Sequence, residues 1–180
     1  DPSGRSSTRP VLTDDEIAAN MKTYEAQVFK ILDRNKTEVR YNSEWLGKMS
    51  IMEYLQLGAK FTVARMMERN DFAKRHEAGD DVSIMEFYYP LMQAYDSVML
   101  KADVELGGND QKFNLLLGRT IQKRMGQREQ VVMTMPLLEG TDGVQKMSKS
   151  YGNYIGITES PQEMFGKLLS ILGQRTWSLL

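Results

Sequence analysis

Two lysines three positions apart, Lys146 and Lys149, stand in the run Lys146-Met147-Ser148-Lys149-Ser150, which is followed by Tyr151-Gly152-Asn153. A flexible arm with two ammonium groups suits phosphoryl or nucleotidyl transfer, where negative charge builds on phosphate oxygens and positioned cations stabilise it. A solvated basic turn has the same composition, so the rest of the chain must supply a substrate site if the arm is catalytic. A second group is Tyr89, Gln93 and Asp96, spaced i, i+4 and i+7 along one line of a helix. Beside it runs Tyr88, Met92, Tyr95 and Met99, expected to be that helix's buried face. Polar groups bordering a buried face need partners, because an unpaired one costs about 1–3 kcal/mol. A bound polar ligand supplies such partners, and so does neighbouring protein. The third group is Gly107-Gly108-Asn109-Asp110-Gln111. Glycines between a strand and a helix N-terminus mark the ligand end of a parallel α/β sheet, where backbone approaches closely and the helix dipole favours negative groups. The run is not G-x-G-x-x-G, so it does not imply a nicotinamide dinucleotide.

The elements that must position these groups can be read from periodicity and caps. Residues 1 to 12 are rich in Pro, Ser and Gly and read as a loop. Thr13 with Glu16 forms a capping box, and Ile17, Met21, Tyr24, Val28 and Ile31 keep a helical period to about Asp33. Thr37 to Tyr41 reads as a short strand, and Gly47 as a break after Trp45 and Leu46. From Met49 to about Glu77 the pattern is helical in pieces, interrupted near Gly58. Its apolar surface is Met52, Tyr54, Leu55, Phe61, Val63, Met66, Met67 and Phe72. A basic rim of Arg65, Arg69, Lys74, Arg75 and His76 reads as a wet helix face. Ser83 with Glu86 caps the helix that carries Tyr89, Gln93 and Asp96. Asp103 to Leu106 is a strand, about Asp110 to Met125 a helix, and Gln130 to Met135 a strand stopped by Pro136. Residues 137–143 turn the chain into the lysine arm, and Ser160-Pro161-Gln162-Glu163 opens a last helix with proline in its first turn.

Bulk properties narrow the classes. The chain has 180 residues, enough for one domain with a core. A net charge of -1 excludes holding nucleic acid by bulk electrostatics. With Cys at 0, disulfides and thiolate metal sites are excluded, and a reducing, cytoplasmic compartment is the natural expectation. No apolar run is long enough for a membrane helix. The opening Asp1-Pro2-Ser3-Gly4-Arg5 reads as a tight loop, and the chain as a piece of a longer protein.

Lys146-Met147-Ser148-Lys149-Ser150 resembles the second signature of the class I aminoacyl-tRNA synthetases. Together with Tyr89-x-x-x-Gln93-x-x-Asp96, Gly107-Gly108-Asn109-Asp110-Gln111, Asp1-Pro2-Ser3-Gly4-Arg5 and Phe61-Thr62-Val63-Ala64-Arg65-Met66, it is similar in order and spacing to the bacterial tyrosyl-tRNA synthetases. The resemblance implies an α/β fold, part of a Rossmann-like parallel sheet with flanking helices. Residues 1–157 would be the later part of the catalytic domain and 158–180 the start of a helical linker. It implies tyrosine–tRNA ligase activity: L-tyrosine and ATP give tyrosyl-adenylate, with Mg2+ expected beside the ATP, and the tyrosyl group passes to tRNA(Tyr). By the same resemblance Asp96 accepts the phenol hydroxyl, Asp1, Tyr89 and Gln93 hold the ammonium, and Gln111 lies near the carboxylate. Gly108 and Asp110 meet the ATP ribose; Lys146, Ser148 and Lys149 serve the phosphates, the two lysines neutralising the leaving pyrophosphate. No resident metal site is implied. Tyrosyl-tRNA synthetases are themselves the usual illustration that a site built to bond a hydroxyl rejects the analogue lacking it. The family is homodimeric, and the surface around Ile84 and Met85 is expected near that interface.

Two departures qualify the resemblance. The family's first signature, His-x-Gly-His, is absent, which reads as truncation, and residues 172–180 do not continue the family pattern. A synthetase-like RNA-binding module without catalysis and a tryptophanyl-type enzyme are the competing readings. The complete Tyr89/Gln93/Asp96 line and the intact lysine run weigh against the first, and the former line favours tyrosine over tryptophan.

Overall fold

A computed structural model describes residues 13–177. In chain order its elements are α1 (Asp14–Val28), α2 (Ser43–Leu46), α3 (Ile51–Gly58), α4 (Val63–Met66), α5 (Asn70–Glu77), α6 (Ile84–Met99), β1 (Val104–Gly108), α7 (Lys112–Arg124), β2 (Val131–Met135) and α8 (Pro161–Trp177). Short 3-10 turns lie at Arg34–Lys36, Asn109–Gln111 and Lys149–Tyr151. The chain divides into two compact units, one containing Val39–Met135 and the other Asp14–Glu38 with the chain from Pro136 onward. Among the described residues, no helix is long and apolar enough to cross a membrane.

In the first unit α6 packs on α7, and α7 on the two strands. β1 and β2 pair in parallel, Val104 opposite Val131 and Gly108 opposite Met135. Strand pairing joined through a helix is the unit expected of a parallel α/β sheet. Residues alternate across the ribbon: Glu105, Gly107, Val132 and Thr134 are half-buried, while Val104, Leu106, Val131, Met133 and Met135 on the other face are exposed. Gly107 is needed on the covered face, because a Cβ there would come within 2.9 Å of Leu115 Cδ1.

The core joins Leu57, Met66, Leu91, Ala94, Val98, Leu117 and Ile121. The buried stripe of α6 is therefore Leu91, Ala94 and Val98, not the expected Tyr88, Met92, Tyr95 and Met99. Tyr88 and Tyr95 flank the core and Met99 is exposed. Small residues explain the rotation. A Cβ on Gly118 of α7 would lie 2.7 Å from Ser97 Oγ, so the helices meet where both carry little side chain. A buried polar latch holds this contact. Gln122 Nε2 donates to the carbonyls of Ser97 (3.3 Å) and Ala102 (3.0 Å), and its Oε1 accepts from the Gln130 amide at 2.8 Å. The end of α6 and the entry to β2 are thereby fixed to one side chain of α7.

Capping sets where α6 begins. Ser83 accepts from the Glu86 amide, and Glu86 accepts in turn from the Ser83 amide at 2.7 Å. Arg75 of α5 pairs with the buried Glu86, which holds that carboxyl below its ordinary range. Two expectations fail. Thr37 to Tyr41 forms no strand, since β propensity is expressed only where the packing context suits it; the backbone is extended at Thr37 and has turned towards α2 by Asn42. The first helix stops at Val28 rather than near Asp33: Lys30 and Ile31 turn to bonds of i→i+3 type, and a 3-10 turn capped by Asp33 follows. The breaks at Gly47 and Gly58, the two strands and the last helix, with its Ser160–Glu163 box, lie where the sequence indicated.

Candidate functional site

Within the first unit, α6 carries the expected polar line. Its three members differ in setting. Tyr89 is exposed, whereas Gln93 and Asp96 are half-buried. Asp96 Oδ1 accepts the indole N–H of Trp45 at 2.8 Å, and Asp96 Oδ2 lies 3.5 Å from the Asn42 amide nitrogen. Burial pushes the Asp96 carboxyl above its ordinary range; the Trp45 and Asn42 bonds work against that rise, and the charge of Glu105 adds to it. A half-buried carboxylate held by neutral N–H donors keeps its accepting power. That suits it to take a hydrogen bond from a hydroxyl. Trp45 and Asn42 were not legible as site residues, because they stand 51 and 54 positions from Asp96.

Gln93 and Gln111 come from different elements and meet through a third amide. Asn114 Nδ2 donates to Gln93 Oε1 at 2.9 Å and to Gln111 Oε1 at 3.2 Å, and Gln93 Nε2 lies 3.4 Å from Gln111 Oε1. Asn114 is buried and its Oδ1 has no hydrogen-bond partner. The sequence did not single it out, although it lies on the same face of the glycine-turn helix as Gln111, three residues on. Gly108 ends β1 half-buried, and Asp110 stands exposed in the 3-10 turn that leads into α7. The glycine turn thus does hand a strand over to a helix. Asp1 lies outside the described residues.

In the second unit the lysine arm is a hairpin followed by a tight turn. Glu139 and Lys146 form an antiparallel bridge, and Met147 N donates to Leu138 O at 2.7 Å. Lys146 and Lys149 are exposed, while Met147 and Ser148 are half-buried. Ser148 Oγ accepts from Ser150 N at 3.2 Å and so caps the turn that holds Lys149. These bonds help to shape the arm, on which Lys146 and Lys149 are both exposed residues. Among the described residues, no group of three or more His, Cys, Asp or Glu side chains is arranged to hold a metal ion.

The chain is 63% identical over 171 residues to a tyrosine–tRNA ligase of Carboxydothermus hydrogenoformans, covering 95% of this chain and 42% of that protein. It is 60% identical over 171 residues to the tyrosine–tRNA ligase of Thermotoga maritima, covering 95% of this chain and 43% of that one. The chain thus spans less than half the length of these relatives. Among solved structures, the tyrosyl-tRNA synthetase of Archaeoglobus fulgidus, complexed with L-tyrosine, matches with a TM-score of 0.66 and 32% identity. The match covers 86% of this chain and 49% of that one. The family model for class I tRNA synthetases (W and Y) matches residues 1–180. With that match over the whole sequence, the chain belongs to the class I tRNA synthetases of the tryptophan and tyrosine family.

Proposed function

We propose that the protein containing this chain is a tyrosine–tRNA ligase. The observation that carries the reading is Asp96, a half-buried carboxylate that accepts hydrogen bonds from the neutral Trp45 and Asn42 side chains, one helical turn from Gln93. In this reading the phenol O–H of L-tyrosine donates to Asp96, and Tyr89, Gln93 and Asp1 hold the ammonium. Gln111 lies by the carboxylate, with Asn114 tying it to Gln93. The tyrosine carboxylate oxygen attacks the α-phosphorus of ATP, the bond to the β-phosphate oxygen breaks, and pyrophosphate leaves. Gly108 and Asp110 serve the ribose, and Lys146, Ser148 and Lys149 the phosphates. Most of the catalysis is then positioning and charge stabilisation. Mg2+ is assigned to the nucleotide's own phosphates, which chelate it in solution as well. The tyrosyl group finally passes from the adenylate to tRNA(Tyr).

The wider setting follows the same reading. Residues 1–157 belong to the catalytic domain and 158–180 begin a helical linker; α8, starting at Pro161, supports that division. The protein is a homodimer of the cytoplasm. Ile84 and Met85, which are 74% and 62% exposed although apolar, support an interface at the start of α6. The test uses the full-length gene product. Tyrosine-dependent ATP–pyrophosphate exchange and charging of tRNA(Tyr) are expected, and Asp96→Ala should lose the preference for tyrosine over phenylalanine. Structured-RNA binding with no exchange would instead favour a non-catalytic RNA-binding module. Unchanged discrimination in Asp96→Ala would remove Asp96 from its role.

A further inference from the structure

Asn153, four positions beyond Lys149, is 5% exposed in a stretch where Lys149 to Gly152 all face solvent. Its side chain uses every group it has. Oδ1 accepts from the Ser148 amide at 2.8 Å; Nδ2 donates to Asp142 Oδ2 at 2.7 Å and to the Lys146 carbonyl at 3.1 Å. Its own carbonyl accepts from Thr141 N at 2.8 Å. The two loop contacts flank Met147. One is made to Lys146 itself, and the other to the residue that caps the turn holding Lys149. A single amide therefore references the backbone under both lysines.

The surroundings are built for that amide. Gly152 takes a left-handed conformation (φ 65°) as the turn ends, immediately before Asn153. Gly140 is buried beneath it, and a Cβ at that position would meet Asn153 Nδ2 at 2.1 Å and Cγ at 2.3 Å. Asp142, which receives the amide, is fixed from its other oxygen by the amides of Val144 and Gln145, each at 2.9 Å. The pocket needs one acceptor and two donors from the same side chain. An asparagine provides that set, whereas aspartate would face Asp142 with a second carboxylate.

We propose that Asn153, seated on Gly140 and Asp142, is a positioning residue that holds the Lys146–Ser150 arm in the shape its phosphate chemistry uses. This assignment rests on the ligase reading above. A cation displaced by an ångström loses much of its effect on a transition state, so the consequence belongs in the chemical step.

Two variants of the full-length protein test it. Asn153→Ala removes the three side-chain bonds, and Gly140→Ala leaves Asn153 intact but drives its amide out of place. Both are expected to lower kcat for ATP–pyrophosphate exchange by about ten- to a hundredfold, with tyrosine affinity by direct titration changed by less than about twofold. In a background carrying both Lys146→Ala and Lys149→Ala, Asn153→Ala should add less than about threefold to the loss, because its effect passes through the two lysines. Wild-type exchange in both variants would overturn the assignment. So would an undiminished further loss in the background lacking both lysines, or a parallel collapse of tyrosine binding, which would mark a purely structural role. If the unaltered protein itself lacked exchange while binding RNA, the ligase reading would fail and this assignment with it.

Discussion

Replacing Trp45 by Phe keeps an aromatic ring in a buried position and deletes one donor, the indole N–H that reaches Asp96 Oδ1 at 2.8 Å. A hydrogen bond to a charged group contributes about 1.5–3 kcal/mol, and half-exposure of Asp96 places this one near the lower end, about 1.5 kcal/mol. When Asp96 is protonated the bond is between neutral groups and contributes only about 0.5–1 kcal/mol. The loss is therefore full above the folded-state pKa of Asp96 and shrinks as pH falls through it. Burial sets that pKa above the unfolded value of about 3.9, so ionised Asp96 itself opposes folding at neutral pH, an effect relieved on acidification. Without the Trp45 donor the carboxyl rises further. For a domain of this size, about 1.5 kcal/mol corresponds to a fall in Tm of about 3–6 °C. Thermal denaturation of the full-length protein and of Trp45→Phe, run from pH 8 down to pH 4, should show that fall at pH 8 and a narrowing gap below. The acid limb of tyrosine KM should move to higher pH in the variant, since the ionised carboxylate is the stronger acceptor for a phenol O–H. A gap that stays constant across the range, or one under about 1 °C at pH 8, would refute a charged bond between these two residues.

Three further outcomes are expected. Gln122→Ala leaves the buried Gln130 amide and the Ala102 carbonyl without their partner and should cost about 2–5 kcal/mol in denaturant unfolding. Asn114→Leu removes the amide between Gln93 and Gln111; tyrosine KM should rise about tenfold, the effect of one lost hydrogen bond, with ATP KM unaltered. Hydrogen bonds from the Val144 amide, the Asn153 side chain and the Gln145 amide hold the Asp142 carboxyl below its ordinary range. The support it gives the arm is complete above the unfolded pKa of about 3.9 and is lost as pH falls through the lower folded value. Hydrogen exchange at the Val144 and Gln145 amides should lose protection only in that acid window.

What could be read from the sequence was local. The Ser83–Glu86 and Ser160–Glu163 boxes, both strands and the glycine turn depend on residues within a few positions of each other, and each is where the pattern placed it. The buried face of α6 was misread because large side chains outweighed small ones. Ala94 and Ser97 were silent in the pattern, yet they let α7 approach, and that contact decides which face is inside. Thr37 to Tyr41 shows the converse, residues with strand propensity that form no strand. At the site, the Tyr89/Gln93/Asp96 line followed from helical spacing, but the groups that condition it did not. Trp45 reaches Asp96 from a four-residue helix far away in sequence, and Asn114 acts through its burial. The lysines announced themselves by charge, whereas Asn153 shows its importance only through what it bonds.

The ribbon of β1 and β2 presents Val104, Leu106, Val131, Met133 and Met135 outward on one side, in register across the pair. Two strands with an uncovered aliphatic face are a template for other chains, and collisions between copies grow with the square of concentration. For this stretch of sequence purified by itself, self-association that rises steeply with protein concentration is therefore the expected behaviour.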